Sequence, residues 1–402
     1  MNWLLKKVKG DPVIWGVVVM LSLVSLLAVY SSTGSLAFKQ KGGNTEFYLF
    51  KQLLFIGMGL GMMWLAHMLD YRYYSRISQM LLYLSYPLLV YTLFFGVEIN
   101  NAVRWMEIPG TGLTFQTSDL AKLALIMYLA RFLSKRQDTI HIARSAFLPL
   151  LGAIVGICVL IAPANLSTAL VLFSTCLLLM FLGRIPLKFI LAVVASGIIF
   201  FTLVATLVMK MPEESIAGIA RLSTWKSRIE NFMGDEENIN GRYQNIQAKI
   251  AIAKGGLLGQ GPGNSVQRNF LPEAYSDFIY AIILEEYGLV GGVGLILLYL
   301  LLLYRSIRIV VRSPKAFGAL LAVGLSFSLV IQAFINMAVA VNIFPVTGLA
   351  LPLISMGGTS TLFTSIAIGI ILSVSRFSEP EEEDGFASED KGKEKGGNFV
   401  PA

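Results

Sequence analysis

Ten long apolar runs separated by polar connectors limit what this chain can fold into more than any other feature of its sequence. A helix rises about 1.5 Å per residue, so the first run, residues 13–30, nearly crosses the ~30 Å hydrocarbon layer of a membrane. The other nine runs lie at residues 47–69, 77–97, 120–133, 146–162, 166–182, 186–209, 278–304, 316–343 and 347–375. We therefore predict an all-α integral membrane protein with ten transmembrane helices, in which residues 1–376 form one membrane domain.

Composition supports this prediction and excludes several other classes of protein. Apolar residues make up 55% of the chain and charged residues only 14%, whereas soluble domains carry about a quarter charged residues. Cys158 and Cys176 lie inside apolar runs, which favours small core residues over a disulfide or a metal pair. His67 and His141 lack the spacing of zinc ligands. The net charge of +7 comes from basic residues at the ends of apolar runs, so we expect no nucleic-acid partner.

Basic residues in the short connectors predict how the chain crosses the membrane. They fall in alternate connectors, on the same side as Lys6, Lys7 and Lys9. By the positive-inside rule, both termini are cytoplasmic. Residues 210–276, between the seventh and eighth helices, then form a large extracytoplasmic loop. The tail at residues 377–402 is poor in apolar residues and rich in both charges, which predicts a disordered cytoplasmic segment.

The connector before the fourth run, together with the start of that run, carries candidate binding residues. Ser118 is placed to cap the helix, with Asp119 in its first turn. Lys122 follows Asp119 by one turn inside an apolar run, so it must snorkel, pair with Asp119 or face a polar cavity. Two interpretations stay open for Asp119 and Lys122: a structural ion pair, or the lining of a binding site for an anionic substrate. Arg104, in the same connector, is a second candidate cation.

The end of the large loop carries the candidate catalytic residue, Asp277. We predict Ser276 as the N-cap of the eighth helix and Asp277 as its first residue, where the helix dipole favours an anion. Capping alone is the structural alternative for Asp277. Glu285 lies eight residues further on, about 80° around the helix, and is either a substrate-binding residue in the same cavity or a structural hydrogen-bond acceptor.

Two further patterns lie earlier in the loop. Tyr243, Ile246, Ile250 and Ala253 recur at roughly helical spacing, which predicts an amphipathic helix on the outer membrane face. The glycines of residues 255–265 predict a tight turn that seats the loop against the membrane surface. They do not indicate a dinucleotide-binding site, because no strand precedes them.

Prolines and glycines interrupt the start of the last run. Pro345, Pro352 and the Gly357-Gly358 pair break a helix, and backbone groups freed at that depth need protein or a watered cavity around them. Close helix packing through small residues is the alternative interpretation. We include Ser355, in this interrupted stretch, among the candidate substrate-binding residues.

Five motifs, in this order along the chain, resemble the signatures of the SEDS family (shape, elongation, division and sporulation). They are residues 115–122 (FQTSDLAK), 259–265 (GQGPGNS), 271–278 (LPEAYSDF), 285–288 (EEYG) and 351–358 (LPLISMGG). The resemblance covers nearly the whole membrane region. The sequence around residues 238–244 looks more similar to the division branch, FtsW, than to the elongation branch, RodA. The family's usual Pro-Asp-x-Gly-Thr reads Ala164-Asn165-Leu166-Ser167-Thr168 here, which argues against a charge-dependent role at Asn165.

The resemblance implies a glycosyltransferase of the bacterial cytoplasmic membrane that polymerises lipid II into peptidoglycan strands at the outer face during septal wall synthesis. The family's essential loop carboxylate falls on Asp277. We expect it to take a proton from the acceptor hydroxyl while Arg104 and Lys122 hold the departing diphosphate. A divalent cation, Mg or Mn, would assist them, and no other cofactor is expected. The implied partners are a bitopic class B penicillin-binding protein, which is a transpeptidase, and other divisome membrane proteins. A lipid II flippase and a non-catalytic division scaffold are the alternative functions.

Overall fold

The computed structural model of the protein describes residues 9–99, 102–107, 114–210 and 239–378. Residues 211–238 of the predicted outer loop lie outside these ranges. So do residues 379–402, and the disordered cytoplasmic tail stays a prediction.

Helices dominate the described part of the chain. In chain order they are α1 (Pro12–Ser32), α2 (Gly34–Lys41), α3 (Glu46–Met68), α4 (Tyr71–Phe95), α5 (Thr117–Lys135), α6 (Leu148–Ile161), α7 (Leu166–Leu182), α8 (Leu187–Lys210), α9 (Ile239–Gly255), α10 (Ile279–Arg312), α11 (Ala316–Ala340) and α12 (Thr359–Ser378). Between α4 and α5 run three strands, β1 (Val97–Ile99), β2 (Ala102–Glu107) and β3 (Thr114–Gln116). Short 3-10 turns lie at Gln137–Thr139 and Gln267–Asn269, and a π-helical turn at Ala143–Phe147 leads into α6.

A helix covers each of the ten predicted runs, but not every helix could cross a membrane by its own length and composition. Among the described residues, eight segments could do so: α1, α3, α4, α10, α11, Ala143–Ile161, Leu187–Val204 and Thr359–Phe377. Helix α7 has only 17 residues, and α5 carries Asp119, Lys122 and Arg131. The protein is a helical multi-pass membrane protein, and the count of ten crossings stays a prediction.

A small antiparallel sheet contradicts the all-α prediction in the connector before α5. Strand β2 pairs with both β1 and β3, so that Trp105 lies opposite Val97 on one side and Gln116 on the other. The β-branched and aromatic residues of the connector favour strands, and the ladder satisfies its backbone groups. Because β3 runs directly into α5, the helix begins at Thr117 with Gln116 as N-cap, and the predicted cap at Ser118 was wrong.

Small residues let the central helices approach closely. A carbon atom added to Gly59 of α3 would lie 2.6 Å from Ser365 Oγ of α12. One added to Gly369 of α12 would collide with the backbone of Met63 on α3. Packing between small residues is the main attraction available to helices in a membrane, where lipid is as apolar as any side chain. Helices α3 and α12 are therefore held nearly backbone to backbone.

Helix α10 is opened near its start. Gly288 has φ 64° and ψ −166°, which lies outside the helical region. In an unbroken helix, the amides of Leu289 and Val290 would donate to the carbonyls of Glu285 and Glu286. Neither of these two bonds forms, so four backbone groups of the helix need other partners.

The glycine-rich loop after α9 supplies all four partners. The two helix amides donate to Gly256 O (2.9 Å) and Leu257 O (3.2 Å), and the two carbonyls accept from the amides of Gln260 (2.9 Å) and Gly261 (3.0 Å). Any side chain at Gly259 would collide with the backbone of α10. The predicted tight turn is therefore present, and its backbone bonds join it to α10.

Residues 341–358 form an irregular segment between α11 and α12, which we call the broken segment. Helix α12 begins only at Thr359, so the predicted last run is helical only in its second part, as its prolines predict. Surrounding helices supply donors to the backbone carbonyls of the broken segment: Asn336 to Leu349 (2.6 Å), Gln332 to Ala350 (2.8 Å), Tyr299 to Pro352 (2.5 Å) and Ser25 to Ile354 (2.9 Å). These bonds satisfy polar backbone that lipid could not.

Candidate active site

Asp277 lies in a turn just before α10, at the end of the bundle that carries the glycine-rich loop. Helix α10 begins at Ile279 with Phe278 as N-cap, so the predicted cap at Ser276 was wrong and Asp277 precedes the helix. The Asp277 amide donates to Glu273 O (3.2 Å) inside the turn, and Ser276 Oγ donates to Asp277 Oδ1 (3.2 Å) instead of accepting from a helix amide. The half-buried carboxylate is thus held by a turn and not by the helix dipole.

Arg104, on β2, reaches the same place from the other side of the protein. Its Nε donates to Ala164 O (2.9 Å), at the end of the connector before α7. A carbon atom added to Gly348, in the broken segment, would lie 3.6 Å from Arg104 Nη1 and 3.6 Å from Asp277 Oδ2. The two charged atoms are therefore within about 7 Å, twice that distance, where opposite charges interact appreciably.

Lys122 pairs with Asp119, in agreement with the interpretation of these two residues as a structural ion pair. The Nζ to Oδ1 distance is 2.7 Å, and both side chains are largely buried, with 15% and 3% exposed. Lys122 Nζ also lies 3.4 Å from Gln332 Oε1 on α11. Together these residues line a hollow of about 40 Å³ whose far wall includes polar side chains of α12 such as Thr364. The pair is thus a structural ion pair that also lines a small, largely apolar hollow.

Arg104 lines a different and smaller hollow. This space, of about 10 Å³, is also lined by Asn165, Thr117 and Ser118, and is about large enough for one water molecule. Asn165 Oδ1 accepts from the Thr168 amide (3.2 Å), so it caps α7 without any need for a charge. Arg104 and Lys122 therefore line two different hollows beside the start of α5.

Glu285 lies under the glycine-rich loop and is fully buried. Its carboxylate accepts from Ser265 Oγ and from the amides of Val266 (3.2 Å) and Gln267 (3.2 Å). Glu286 accepts from Ser31 Oγ and from the Ser265 amide (3.3 Å). These bonds account for both buried carboxylates, in agreement with the structural alternative for Glu285.

Ser355 also makes structural hydrogen bonds, which its sequence position did not predict. Its hydroxyl donates to Ser276 O (2.7 Å) and accepts from the Leu351 amide (2.8 Å). The Met356 amide donates to Tyr275 O (3.0 Å) nearby. These bonds join the broken segment to the turn that carries Asp277, so Ser355 supports the site instead of lining it.

Asn336 is a site residue that sequence reasoning missed. It lies on α11, one turn beyond Gln332, and its Nδ2 donates to Asp277 O (3.1 Å) as well as to Leu349 O (2.6 Å). The only sequence signal was an amide side chain inside an otherwise apolar run. Through Gln332 and Asn336, one face of α11 connects the Lys122 hollow with the Asp277 turn.

Tyr275 and Glu273 form the outer part of the turn. Burial, followed by the nearby Glu273 and Asp277 carboxylates and a hydrogen bond with Glu273, raises the pKa of Tyr275. The phenol therefore stays protonated at neutral pH and keeps its proton for donation. The Glu273 and Asp277 carboxylates therefore both lie near one neutral hydrogen-bond donor, the Tyr275 hydroxyl.

The described residues contain no cluster of protein ligands that could hold a metal ion by itself. Within the described ranges, no group of three or more His, Cys, Asp or Glu side chains could do so. Mg²⁺ is usually bound through one or two carboxylates together with the phosphates of a substrate, which requires no such cluster.

The whole membrane region of the chain matches one protein family. The model for cell cycle proteins that groups FtsW, RodA and SpoVE matches residues 11–380. The chain is 33% identical to the stage V sporulation protein E of Bacillus subtilis, over 93% of this chain and 99% of that protein. It is 35% identical to a probable peptidoglycan glycosyltransferase FtsW of Trichlorobacter lovleyi, over 91% and 93% respectively.

Solved structures give the same result. A chain of a peptidoglycan synthase complex, studied for its coordination of polymerization and crosslinking, superposes with a TM-score of 0.69 at 26% identity, covering 92% of this chain and 99% of that one. The rod shape determining protein RodA of Thermus thermophilus superposes with a TM-score of 0.64 at 26% identity, covering 92% and 98%. The match in motifs, sequence and fold means that this chain belongs to the FtsW, RodA and SpoVE family of cell cycle proteins, the SEDS family.

Proposed function

We propose that this protein is a peptidoglycan glycosyltransferase that polymerises lipid II into glycan strands at the outer face of the cytoplasmic membrane, in septal wall synthesis. The observation that carries the proposal is the placement of the Asp277 carboxylate within about 7 Å of the Arg104 guanidinium, next to a glycine whose missing side chain leaves room beside both groups. Relatives named as probable peptidoglycan glycosyltransferases support the reaction class.

Asp277 acts as the general base. Its carboxylate takes the proton of the acceptor sugar hydroxyl, and the oxygen so freed forms a bond to the anomeric carbon of the donor sugar. The bond from that carbon to the diphosphate oxygen breaks at the same centre, and its electrons leave with the polyprenyl diphosphate. A diphosphate is a stable anion, so the leaving group needs no proton, and one carboxylate is enough for the reaction.

Arg104 stabilises the negative charge that develops on the departing diphosphate. Its Nε is anchored to a backbone carbonyl, so its two Nη groups are presented in a fixed orientation. Preoriented donors of this kind lower the barrier because they need no rearrangement during the reaction. Lys122 lies in the separate hollow and contributes a second positive charge for the polyprenyl diphosphate. A Mg or Mn ion, when bound, would be held through the substrate phosphates and would supply further positive charge there.

The membrane arrangement proposed with this function has ten crossings, both termini in the cytoplasm and the Asp277 turn at the outer face. The alternation of basic connectors supports it. The proposed partner is a bitopic class B penicillin-binding protein, which crosslinks the strands, with other divisome membrane proteins around it. The match to a chain of a peptidoglycan synthase complex supports a partner of this kind.

The deciding experiment is polymerisation of labelled lipid II by the purified full-length protein, alone and with a transpeptidase partner. Wild-type protein should yield glycan polymer. Asp277→Asn, which keeps the shape of the side chain, should slow the reaction by about 10²-fold or more, because a general base typically contributes that much. Asp138→Asn, a change at an exposed acid in a connector between α5 and α6, is the matched control and should retain the wild-type rate.

The same variants distinguish the alternative functions. A flippase would move fluorescent lipid II between the leaflets of a liposome without joining sugars. A scaffold would support growth of cells that carry Asp277→Asn or Lys122→Met. Full polymer yield from folded Asp277→Asn would remove the base assignment.

A further inference from the structure

Asn336 joins two segments of the proposed site, the broken segment and the turn before α10, with a single amide group. Its side chain is 1% exposed. The Nδ2 group donates to Leu349 O (2.6 Å), in the broken segment, and to Asp277 O (3.1 Å), in the turn before α10. These two bonds use both hydrogens of the amide, so one side chain fixes two segments that are far apart in sequence.

The orientation of this amide is determined by its surroundings. A flipped amide would place Oδ1 against two carbonyl oxygens, which repel it, so Nδ2 must face them. In the present orientation Oδ1 is buried and has no hydrogen-bond partner among the described residues. A buried acceptor without a partner costs stability, so a residue kept only for stability would not be expected here.

The two carbonyls that Asn336 holds flank the reactive groups. Leu349 follows Gly348, which lies beside both the Arg104 guanidinium and the Asp277 carboxylate. The other carbonyl belongs to Asp277 itself. A shift of either segment would change the separation of the base from the cation. Misplacement of reacting groups by about 1 Å can lower a rate by about 10²-fold.

We infer that Asn336 is a positioning residue for the transfer reaction: it sets the distance between Asp277 and Arg104 by tying the Asp277 turn to the broken segment. This inference rests on the proposed glycosyltransferase function. Asn336 does not touch the reacting atoms, and it acts only through the two backbone segments that it holds.

Tyr299 offers a matched comparison inside the same structure. Its hydroxyl is fully buried and donates to Pro352 O (2.5 Å), also in the broken segment, but it makes no hydrogen bond to the Asp277 turn. Tyr299→Phe and Asn336→Leu each remove the donors of one buried side chain to the broken segment. Only Asn336→Leu also releases Asp277.

The first experiment measures kcat, KM and the unfolding temperature of the full-length variants with lipid II as substrate. Asn336→Leu should lower kcat by about 30-fold or more while KM changes by less than about threefold, because the substrate contacts remain while the base is displaced. Tyr299→Phe should keep kcat within about threefold of the wild-type value, even if both variants unfold at lower temperature. Equal losses of kcat that follow the unfolding temperature would overturn the inference.

The second variant, Asn336→Asp, gives a readout that a purely structural role would not produce. Its carboxyl faces two carbonyl oxygens; while protonated it donates one of the two hydrogen bonds, and once ionised it donates none. The charged groups around it are Asp277, Arg104 and, one turn away beside Gln332, Lys122. The kcat of this variant relative to wild type should fall as pH rises from about 5 to about 8.

The outcomes separate the inference from the function on which it rests. If wild type polymerises lipid II and the relative kcat of folded Asn336→Asp does not change with pH, the positioning role is wrong and the glycosyltransferase stands. If wild type makes no polymer where an FtsW relative does, the proposed function fails and the inference fails with it. If Asn336→Leu does not fold, the pH dependence of Asn336→Asp, which is most native-like at low pH, tests the positioning role instead.

Discussion

Arg104 and Asp277 both lie beside Gly348, with Arg104 Nη1 and Asp277 Oδ2 each 3.6 Å from the position that a side chain at Gly348 would occupy. The first comes from a small sheet, the second from the turn before α10, and the glycine from the broken segment. A cation and an anion held close together, with open space beside them, are what the transfer of a sugar from a diphosphate requires.

Gly348→Ala should fill this space. The methyl group would be in van der Waals contact with both charged side chains, and Gly348 has φ +67°, which costs an alanine about 1 kcal/mol or more. We expect polymerisation to fall by tenfold or more, with a modest loss of stability. Gly16→Ala on α1, where nothing lies within 4 Å, is the control and should not lower the rate. Wild-type turnover by Gly348→Ala would show that the space is not used.

Arg104→Lys should lower kcat although it keeps the charge. A lysine carries its three donors on one freely rotating nitrogen, so a lysine bound to Ala164 O cannot also hold donors at the two fixed positions of the arginine Nη groups. A loss of about 1 to 3 kcal/mol in transition-state stabilisation is expected, measured from kcat/KM. Arg308→Lys, at an exposed position on α10, should behave as wild type. Equal rates for both variants would remove Arg104 from the mechanism.

Substitutions in the Asp119 and Lys122 pair should show whether the pair only stabilises the protein or also binds substrate. Lys122→Met alone leaves a buried carboxylate unpaired and should cost about 3–5 kcal/mol of stability. The double change with Asp119→Leu should recover most of that stability, because neither charge remains. If Lys122 binds substrate, the double variant will be stable and still raise KM. A stable double variant with the wild-type KM would make the pair purely structural.

Glu285→Gln should loosen the glycine-rich loop. The amide group of glutamine would face the backbone amides of Val266 and Gln267, and charge-assisted hydrogen bonds worth about 1.5–3 kcal/mol would be lost. We expect a lower unfolding temperature and faster hydrogen exchange at the amides of residues 260–267. Glu46→Gln, at an exposed position in the first turn of α3, should change neither measurement. Unchanged exchange in Glu285→Gln would mean that the loop is held by its backbone bonds alone.

Removal of divalent cations should slow polymerisation. The described residues offer no group of three acidic, histidine or cysteine ligands, so we expect any Mg or Mn ion to bind through the substrate diphosphate. EDTA should then reduce the rate, and added Mg or Mn should restore it. Because the ion would bind with the substrate, EDTA should raise KM for lipid II and leave the unfolding temperature of the protein unchanged. A rate that is the same with and without EDTA would exclude this requirement.

The sequence predicted the helices better than their ends. Long apolar runs must be helical in a membrane, because only a helix satisfies its own backbone there, and every predicted run contains a helix. The caps at Ser118 and Ser276 were predicted from residue type alone and were wrong. In both places a contact with another segment competes with the local cap: strand pairing before Thr117, and the turn around Asp277.

The roles of individual polar residues were less predictable than the motifs that contain them. The motifs at residues 271–278 and 351–358 both lie at the candidate site, yet Ser355 uses its hydrogen bonds inside the protein, as does Glu285 of the motif at residues 285–288. Asn336 had no signal beyond its amide in a largely apolar run. Which polar side chain meets a ligand and which meets the backbone depends on neighbours that are distant in the chain: 79 residues separate Ser355 from Ser276, and 329 separate Ser25 from Ile354.

By itself, the sequence determined that the chain crosses a membrane many times, that its last run is broken and that it resembles one family, because hydropathy, helix breakers and motifs are local properties. Only the tertiary structure decided that Asp277 faces Arg104, that Lys122 lies in a separate hollow and that Asn336 joins the two walls of the site. These relationships come from contacts between segments distant in sequence, and their free energies depend on distance, burial and orientation, which no local pattern contains.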